Sequence, residues 1–470
     1  MKFSIRPLSA MLMAAAMASI AHAGDYSTWA RYRPVTLNTS TMGLSAAVTN
    51  VPILVRFRAN LHKDMLDSAA TQVQANGSDI RVTKADGTTD VPFEIEHVST
   101  GPEGRLHIWI LADNVPANNP AAGSYRVYWG RTGQTSMSNP TAVFPTSAGY
   151  QAVFHLNDTG SIIRNSANGA LDGAATGTTV ITSQAAGNGF VSAKAGAVVR
   201  TFGTSGGGVA NETEATDYIK VTPGPSHILS THTGPLTFEG WVYSSITNNG
   251  NTSQGTKTIV AHGDGNNGTK AWFARTASLD GSTGQNHYSA GGPNNISGPI
   301  APFGEQHHWQ FVTAVWNGTN WAIYRQREND PWNNATVAGP SGMLPDSAHY
   351  KIIPSTAPAA STMPWFIGGA SDSAGTLVSR GWQGWMDEVR ISTVARDSNY
   401  VKLTFLTSRS DTLNGVVHPV SVGPTEANVS TDRVRGLVGS PLHRAEHHAH
   451  RRERAGQRVE LPGARAPRRG

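Results

Sequence analysis

The sequence lacks cysteine altogether and is poor in charge. None of the 470 residues is Cys, which excludes in this chain a disulfide framework, a thiolate nucleophile, a Cys-ligated metal centre and an acylated N-terminal cysteine. Charged residues make up only 15% of the chain, whereas there are 50 Gly and 26 Pro. This composition disfavours long surface helices and favours short strands joined by turns, in two or three domains.

Long apolar runs are also lacking. No segment after residue 23 has 18 consecutive apolar residues, so we expect no transmembrane segment in the mature chain. Residues 1–23 combine a basic start (Lys2, Arg6), an apolar stretch and the sequence Ala21-His22-Ala23. This pattern predicts a cleavable signal peptide and an exported protein, periplasmic or extracellular.

The net charge of +5 comes from the end of the chain. Residues 431–470 contain ten arginines, no lysine and four acidic residues, so the rest of the chain has no basic excess. Such a segment is typical either of a basic arm that binds nucleic acid or anionic lipid, or of a disordered extension. We expect the second, with residues 413–470 as a linker and disordered tail and with no nucleic-acid partner.

The first half of the mature chain alternates apolar and polar residues with a period of two. Val51, Ile53, Val55 and Phe57 predict one face of a strand, with Arg56 and Arg58 on the other. Further alternating segments and an Asp-Gly turn at residues 86–87 predict a half-buried antiparallel β-sandwich-like module over residues 25–150.

Glu94 and Glu96 lie in one of these alternating segments. Period two places both carboxylates on the solvent face, roughly 7 Å apart, a spacing that glycoside hydrolases also use. A laminarinase-type glucanase has the pattern E-x-D-x-x-E, but His97, Val98 and Ser99 follow here. We therefore predict two solvated carboxylates and no catalytic residues.

The first module resembles a known family, the domain of unknown function 2341. The resemblance lies in residues 29–35 (WARYRPV), 51–55 (VPILV), 92–96 (PFEIE), 107–110 (HIWI), 127–130 (VYWG) and 152–158 (AVFHLND). It implies a bacterial exported protein. In relatives the module also appears beside proton-channel components of energy-coupling systems.

The second half, residues 151–412, resembles a LamG-like, concanavalin A-like jelly roll. The matching pieces are residues 236–243 (LTFEGWVY), 309–316 (WQFVTAVW), 322–324 (AIY), 366–369 (FIGG) and 384–392 (GWMDEVRIS). An Asn-Gly turn at residues 317–318 predicts a hairpin between two of them. The expected fold class is all-β: an N-terminal β-sandwich-like module followed by this jelly roll.

Asp387 suggests a metal site. Period two places its carboxylate on the same strand face as Trp385, Val389 and Ile391, towards the apolar interior. A buried charge must be paired or bind a metal. LamG-like relatives often hold calcium, so the resemblance implies a structural calcium at Asp387 with oxygen ligands from Asn157 and Asp158. Backbone amides or an arginine that satisfy Asp387 are the alternative.

The chain has 12 tryptophans, which raises the possibility of sugar stacking. Most of them lie in regular strand patterns and are expected in the core. Trp332 and Trp382 lie in or beside loops, and we predict that they form an exposed ligand-binding platform.

Three functions are compatible with these patterns. The first is non-catalytic binding of a glycan or another extracellular ligand by the jelly roll, which rests on the fold resemblance. The second is a polysaccharide hydrolase of the glucanase kind, and the third a structural envelope component linked to an energy-coupling proton channel system. The missing third acid favours the first over the second.

Overall fold

The computed structural model describes residues 24–177, 179–181, 199–202, 217–244, 253–263, 271–278, 286–292, 297–300, 309–329, 350–353, 356–371, 378–379, 381–382, 384–410 and 417–428. The predicted signal peptide, the Arg-rich tail after residue 428 and Trp332 lie outside these residues. None of the described helices is long and apolar enough to cross a membrane.

The N-terminal module consists of two small antiparallel sheets. Its elements are β1 Arg31–Leu37, β2 Val48–Arg58, α1 Lys63–Leu66, β3 Arg81–Lys84, β4 Phe93–Ser99, β5 Arg105–Val115, β6 Gly123–Trp129 and α2 Pro140–Val143. One sheet has the order β2-β5-β4, and the other contains β1, β6 and β3 as neighbours. Their apolar side chains pack into one core, as the alternating sequence predicts.

The second module is a two-sheet β-sandwich. Its strands are β7 Tyr150–Phe154, β8 Ile162–Ile163, β9 Gly173–Thr176, β10 Thr179–Ile181, β11 Val199–Phe202, β12 Tyr218–Val221, β13 Leu236–Ser244, β14 Ser253–His262, β15 Ala271–Ser278, β16 Asn286–Gly291, β17 Ser297–Ile300, β18 Trp309–Trp316, β19 Trp321–Arg327, β20 Tyr350–Ile353, β21 Trp365–Ile367, β22 Ala370–Ser371, β23 Val378–Ser379 and β24 Gly384–Ser392. Its short helices are α3 Ile228–Thr231 and two 3-10 turns, Thr146–Ala148 and Gly169–Leu171. The prediction of an all-β fold is therefore confirmed.

The sandwich is built from two large antiparallel sheets. The first, here called the central sheet, has the order β10-β11-β24-β13-β18-β19-β20, with β7 also paired to β24. The second, the outer sheet, has the order β17-β16-β15-β14-β21-β12-β9-β8. Side chains such as Phe238 and Val242 of β13 pack in the core that the two sheets share. The predicted hairpin is confirmed, because β18 pairs with β19 across a turn that has Gly318 at φ +99°.

The opposite face of the central sheet packs against the N-terminal module. Trp241 of β13, the neighbour of Val242, belongs to the same core as the strands of that module. Helix α4, Ser398–Ser408, lies between them, with Phe405 5.7 Å from Trp241, measured between ring centroids. The described part of residues 1–428 therefore forms one compact unit.

This packing corrects the prediction that one face of β2 is exposed to solvent. Leu54 is fully buried and Arg56 is 5% exposed, because α4 packs against β2. The guanidinium of Arg56 donates to the carbonyl oxygens of Ser408 and Arg409 at the end of α4. Such carbonyls have no partner within a helix, and a cation near them is stabilised by the helix dipole.

The chain returns to the N-terminal module after the sandwich. Strands β25 (Val420–Val422) and β26 (Glu426–Ala427) both pair antiparallel with β1. Asn428 then donates to the carbonyl oxygen of Trp29 at 2.9 Å. The sequence predicts a linker and tail over residues 413–470, whereas Val420–Val422 and Glu426–Ala427 pair with the first sheet.

We predict that the tail can be removed only as far as these strands. A chain that ends at residue 430 should melt within about 1 °C of the full chain. A chain that ends at residue 412 should melt lower by roughly 5 °C or more, because it leaves β1 as an open edge and removes several hydrogen bonds. Thermal unfolding of both chains tests this, and equal melting temperatures would contradict the role given to β25 and β26.

Candidate functional site

A set of charged side chains is buried where the N-terminal module meets the central sheet. It draws on β4, on the residue after β7, and on β13 and β24. All but Glu96 are at most 5% exposed, and Glu96 itself is only partly exposed. We call this set the buried ionic cluster: Glu94, Glu96, His155, Glu239, Glu388 and Arg390.

Two β-bulges place the carboxylates of Glu96 and Glu388. In the β4–β5 pair the register shifts between Ile95 and His97, so that Glu96 is the extra residue. In the β13–β24 pair the register shifts between Glu239 and Trp241, opposite the extra residue Glu388, whose φ is +55°. A bulge bends its strand and redirects the extra side chain, which here turns it out of the regular alternation.

His155 lies between two carboxylates. Its Nδ1 is 2.7 Å from Oε1 of Glu388, and its Nε2 is 3.2 Å from Oε2 of Glu94. The other oxygen of Glu94 accepts a hydrogen bond of 2.6 Å from the hydroxyl of Ser166. The imidazole also stacks on the indole of Trp109, with ring centroids 5.8 Å apart. His155 therefore joins a strand of the first module to a strand of the sandwich.

Arg390 extends the cluster on the other side of Glu388. Its Nη2 donates to Glu388 at 2.9 Å, and its Nη1 donates to Glu239 at 3.2 Å. The guanidinium carbon lies 4.6 Å from the ring centroid of Trp109, within reach of a cation–π interaction. The hydroxyl of Tyr400 donates to the same oxygen of Glu239. Each buried charge thus has at least one charged or polar partner, as burial requires.

The remaining member, Glu96, is only half satisfied. Its Oε2 accepts a hydrogen bond of 2.8 Å from the indole nitrogen of Trp109. Its Oε1 is buried and has no hydrogen-bond partner within the described part of the chain. Glu96, His155 and Glu388 each offer one ligand atom, and these three atoms lie within 4.8 Å of one another.

The charges of the cluster shift each other's pKa values. Burial, together with the negative charge of Glu388, raises the pKa of Glu96 to about 7. Burial alone would lower the pKa of His155, but Glu388 and Glu94 outweigh it and raise that pKa well above the usual value. Burial would raise the pKa of Glu388, whereas His155 and Arg390 outweigh it and lower that pKa.

The prediction that Glu94 and Glu96 are solvated is wrong. Period two assumes a regular strand with one free face. Strand β4 instead contains a bulge, and His155 and Ser166, which follow the start of β7, cover Glu94. Glu94 is 5% exposed and bonded to His155 and Ser166. The only sequence signal for this site was a histidine directly after the buried strand β7, at residue 155.

The structure agrees with one part of the Asp387 prediction and corrects another. Asp387 is fully buried, as predicted. It lies opposite Trp241, on the face towards the N-terminal module, whereas Val389 and Ile391 pack in the core between the two sheets. The bulge at Glu388 separates the two faces, so the predicted common face of Asp387, Val389 and Ile391 is wrong.

The predicted calcium ligands are engaged in other contacts. Oδ1 of Asp387 accepts a hydrogen bond from the backbone N–H of Glu388 at 3.0 Å. Asn157 donates its side-chain amide to the carbonyl oxygen of Glu96 at 2.9 Å, and Asp158 accepts from the N–H of Arg164 at 2.7 Å. Among the described residues, the acidic and histidine group with metal-like spacing is the Glu96–His155–Glu388 triplet, which includes neither Asp387 nor Asp158.

The two predicted platform tryptophans have different outcomes. Trp382 is fully buried, and its indole nitrogen donates to the carbonyl oxygen of Tyr243 at 3.3 Å. The prediction of an exposed ring at Trp382 is therefore wrong, because this side chain belongs to the core between the two sheets. Trp332 lies outside the described residues.

Several long connections between strands leave the sandwich at the same end. In the central sheet, Tyr243 is opposite Trp309, and Gln310 is opposite Arg327, so the ends of β13 and β19 lie beside the start of β18. In the outer sheet, Ser253 is opposite Ser278. The connections that leave these strand ends are residues 245–252, 279–285, 301–308 and 328–349.

The two sheets share this edge. Thr176 ends β9 in the outer sheet and Thr179 begins β10 in the central sheet, so only two residues separate them. The strand registers place Thr176 and Thr179 at the same end of the sandwich as the end of β13, the start of β14 and the end of β19. We call this end of the sandwich the rim edge. The turn at Asn317–Asn320, after β18, lies at the opposite end.

Part of the sequence matches a known family model. Residues 76–155 match the domain of unknown function 2341. The matched segment includes β3 to β7 and ends at His155, so it supplies three members of the buried ionic cluster, Glu94, Glu96 and His155. The predicted resemblance of the first module to this family is confirmed for these residues. No curated protein matches the sequence.

Solved structures match only weakly. A Trypanosoma rangeli sialidase in complex with 2,3-difluorosialic acid is 14% identical with a TM-score of 0.31, covering 58% of this chain and 35% of the sialidase. The SAP-like pentraxin from Limulus polyphemus is 13% identical with a TM-score of 0.27, covering 47% and 93% of the two chains. A structure described as botulinum neurotoxin type C, whose cell entry depends on two ganglioside molecules, is 9% identical with a TM-score of 0.31, covering 56% and 52%. The chain spans about a third of the length of the sialidase.

We predict that the cluster is essential for stability. Arg390→Met keeps the length of the side chain but leaves Glu388 and Glu239 without their shared cation, so it should lower the free energy of unfolding by about 3–5 kcal/mol. Urea unfolding gives this value. The matched control is Arg164→Met, because Arg164 is 75% exposed and 3.7 Å from Asp172, and it should cost at most about 1 kcal/mol. Equal effects of the two changes would contradict the prediction.

Proposed function

We propose that this chain is an exported, non-catalytic protein that binds a carbohydrate at the rim edge of its sandwich. The observation that carries the proposal is the strand register, by which the connections 245–252, 279–285, 301–308 and 328–349 all leave from that one edge. Loops that cluster at one end of a rigid sandwich are where such folds place their binding residues.

The composition of these connections supports a polar ligand. Residues 245–252, 279–285 and 328–349 consist mostly of Asn, Asp, Ser, Thr, Gly and Pro. Side chains of this kind supply adaptable hydrogen bonds, and the best partners for many closely spaced hydroxyls are such groups with an aromatic ring beside them. The connection 328–349 also contains Trp332, which we propose as the ring that stacks on the sugar.

The surroundings of the acidic residues support a non-catalytic role. Glu94 and Glu96 were the acids considered for glycoside hydrolysis, but Glu94 is buried between His155 and Ser166, and Glu96 is bonded to Trp109. A hydrolase needs its two carboxyl groups on either side of a bound sugar. In this cluster the space beside Glu94 is taken up by protein side chains.

Trp332 provides the test of binding. Trp332→Ala should weaken binding to the best glycan of an array by at least about 10-fold, because a stacked aromatic ring is a typical hot spot. Calorimetric titration of that glycan measures the effect. The control is Thr319→Ala, an exposed residue at the turn opposite the rim edge, which should leave the affinity unchanged. Failure to bind any glycan would refute the proposal, and release of reducing sugar would refute its non-catalytic part.

Export is tested separately. The pattern of residues 1–23 predicts cleavage after Ala23. Protein recovered from outside the cytoplasm of a bacterial host should therefore begin at Gly24 by mass spectrometry. Full-length protein that stays in the cytoplasm would contradict this expectation.

A further inference from the structure

The triplet of Glu96, His155 and Glu388 is distinct from the rim edge and has no role in the proposed function. It lies in the contact between the two modules, and each residue comes from a different strand or strand end, β4, β7 and β24. Its donor atoms lie within 4.8 Å of one another. Three donors that converge from three separate elements are the usual composition of a protein metal site.

A second observation points to a missing ligand. Oε1 of Glu96 is buried and has no partner in the described part of the chain, although the other oxygen is bonded to Trp109. An unsatisfied buried carboxylate oxygen is costly, because it has lost its hydration without gaining a hydrogen bond. A cation beside this oxygen would remove that cost.

The surroundings of His155 fit those of a metal-binding histidine. Such a histidine usually donates its second ring N–H to a carboxylate, which fixes the orientation of the ring. Here Nε2 faces Glu94 at 3.2 Å, and Glu94 is itself held by Ser166 at 2.6 Å. Nδ1, on the opposite side of the ring, faces Glu388.

We propose that Glu96, His155 and Glu388 bind a divalent transition-metal ion, with Zn²⁺ and Mn²⁺ as the ions that a mixed imidazole and carboxylate set accepts. The ion lies between Nδ1 of His155 and the carboxylates of Glu388 and Glu96, and the Nδ1 proton is released to solvent when it binds. Glu94 is a positioning residue that holds the imidazole. The site joins the two modules, so the ion stabilises their contact.

The distances require a small rearrangement. In a tetrahedral site with bonds of about 2.1 Å, neighbouring ligand atoms are about 3.4 Å apart. Nδ1 of His155 and Oε1 of Glu388, which are 2.7 Å apart, must therefore separate slightly, and the carboxylate of Glu96 must move closer.

Equilibrium dialysis and thermal unfolding of the complete protein test the assignment. After treatment with a chelator, addition of Zn²⁺ or Mn²⁺ at about 100 times the dissociation constant should raise the melting temperature by about 3 °C. The histidines at 443, 447, 448 and 450 can also bind zinc but lie outside the compact unit of residues 1–428. The melting temperature therefore reports on the site in that unit. Dialysis compares the unchanged protein with a variant that has the same tail, and the difference in bound metal gives the stoichiometry of the site.

Three variants separate the roles of the residues. Glu96→Gln keeps an oxygen for the indole of Trp109 but removes the charged ligand, so it should abolish the metal-induced rise in melting temperature. Glu94→Gln should weaken metal binding about 10- to 100-fold, as expected for an outer residue that orients a ligand. The control is Glu103→Gln, an exposed change in the same module, which should behave as the unchanged protein.

Three results would overturn the assignment. The first is a melting temperature that neither Zn²⁺ nor Mn²⁺ raises. The second is a metal-induced rise that persists unchanged in Glu96→Gln. The third is a rise with Ca²⁺ alone that Asp387→Asn abolishes, which would instead support the calcium site predicted from the sequence.

Discussion

The contact between the two modules depends on the pairing of buried charges. Removing an ion from water costs several kcal/mol, and this cost is offset only when partners surround the ion in good geometry. Glu94 belongs to the first module and Glu388 to the sandwich, and His155 lies between them with one ring nitrogen on each. Neither module alone satisfies these charges. The pairing of these charges therefore requires the contact between the two modules, in which the apolar side chains of the shared core also pack.

Backbone irregularity is what makes the pairing possible. The bulge lets Asp387, Glu388 and Arg390 all face the first module, and the carboxylate of Glu388 lies between His155 and the guanidinium of Arg390. The conformation at Glu388, with φ +55°, costs a non-glycine residue about 1–2 kcal/mol. Two charge-assisted hydrogen bonds to buried cations offset such a strain. The conformation of β24 at Glu388 is therefore supported by its contacts with His155 and Arg390.

Local patterns in the sequence predict the local parts of this structure. Alternation predicted the strands around residues 51–57 and 384–392, the Asn-Gly pair predicted the β18–β19 hairpin, and the motifs predicted the family of residues 76–155. The same alternation predicts the wrong exposure of side chains wherever another element covers the outer face of a strand. Glu94 was assigned to solvent because a single strand shows its own two faces but not what packs on them. A bulge causes a second kind of error in the prediction. One extra residue reverses the predicted face of every residue that follows it in the strand, as it does for Val389.

Strands of the first module lie on both sides of the sandwich in the order of the chain. The sandwich is inserted into the first module: strands β1 to β6 precede it, and β25 and β26 follow it and pair with β1. Closing the first sheet therefore requires the ends of the insertion to be close together, and a folded sandwich brings them close. Conversely, the central sheet exposes Trp241 and Phe311 unless α4 and the first module cover them. Each module thus covers groups that the other module alone would expose, and the buried ionic cluster lies in the contact between the two modules.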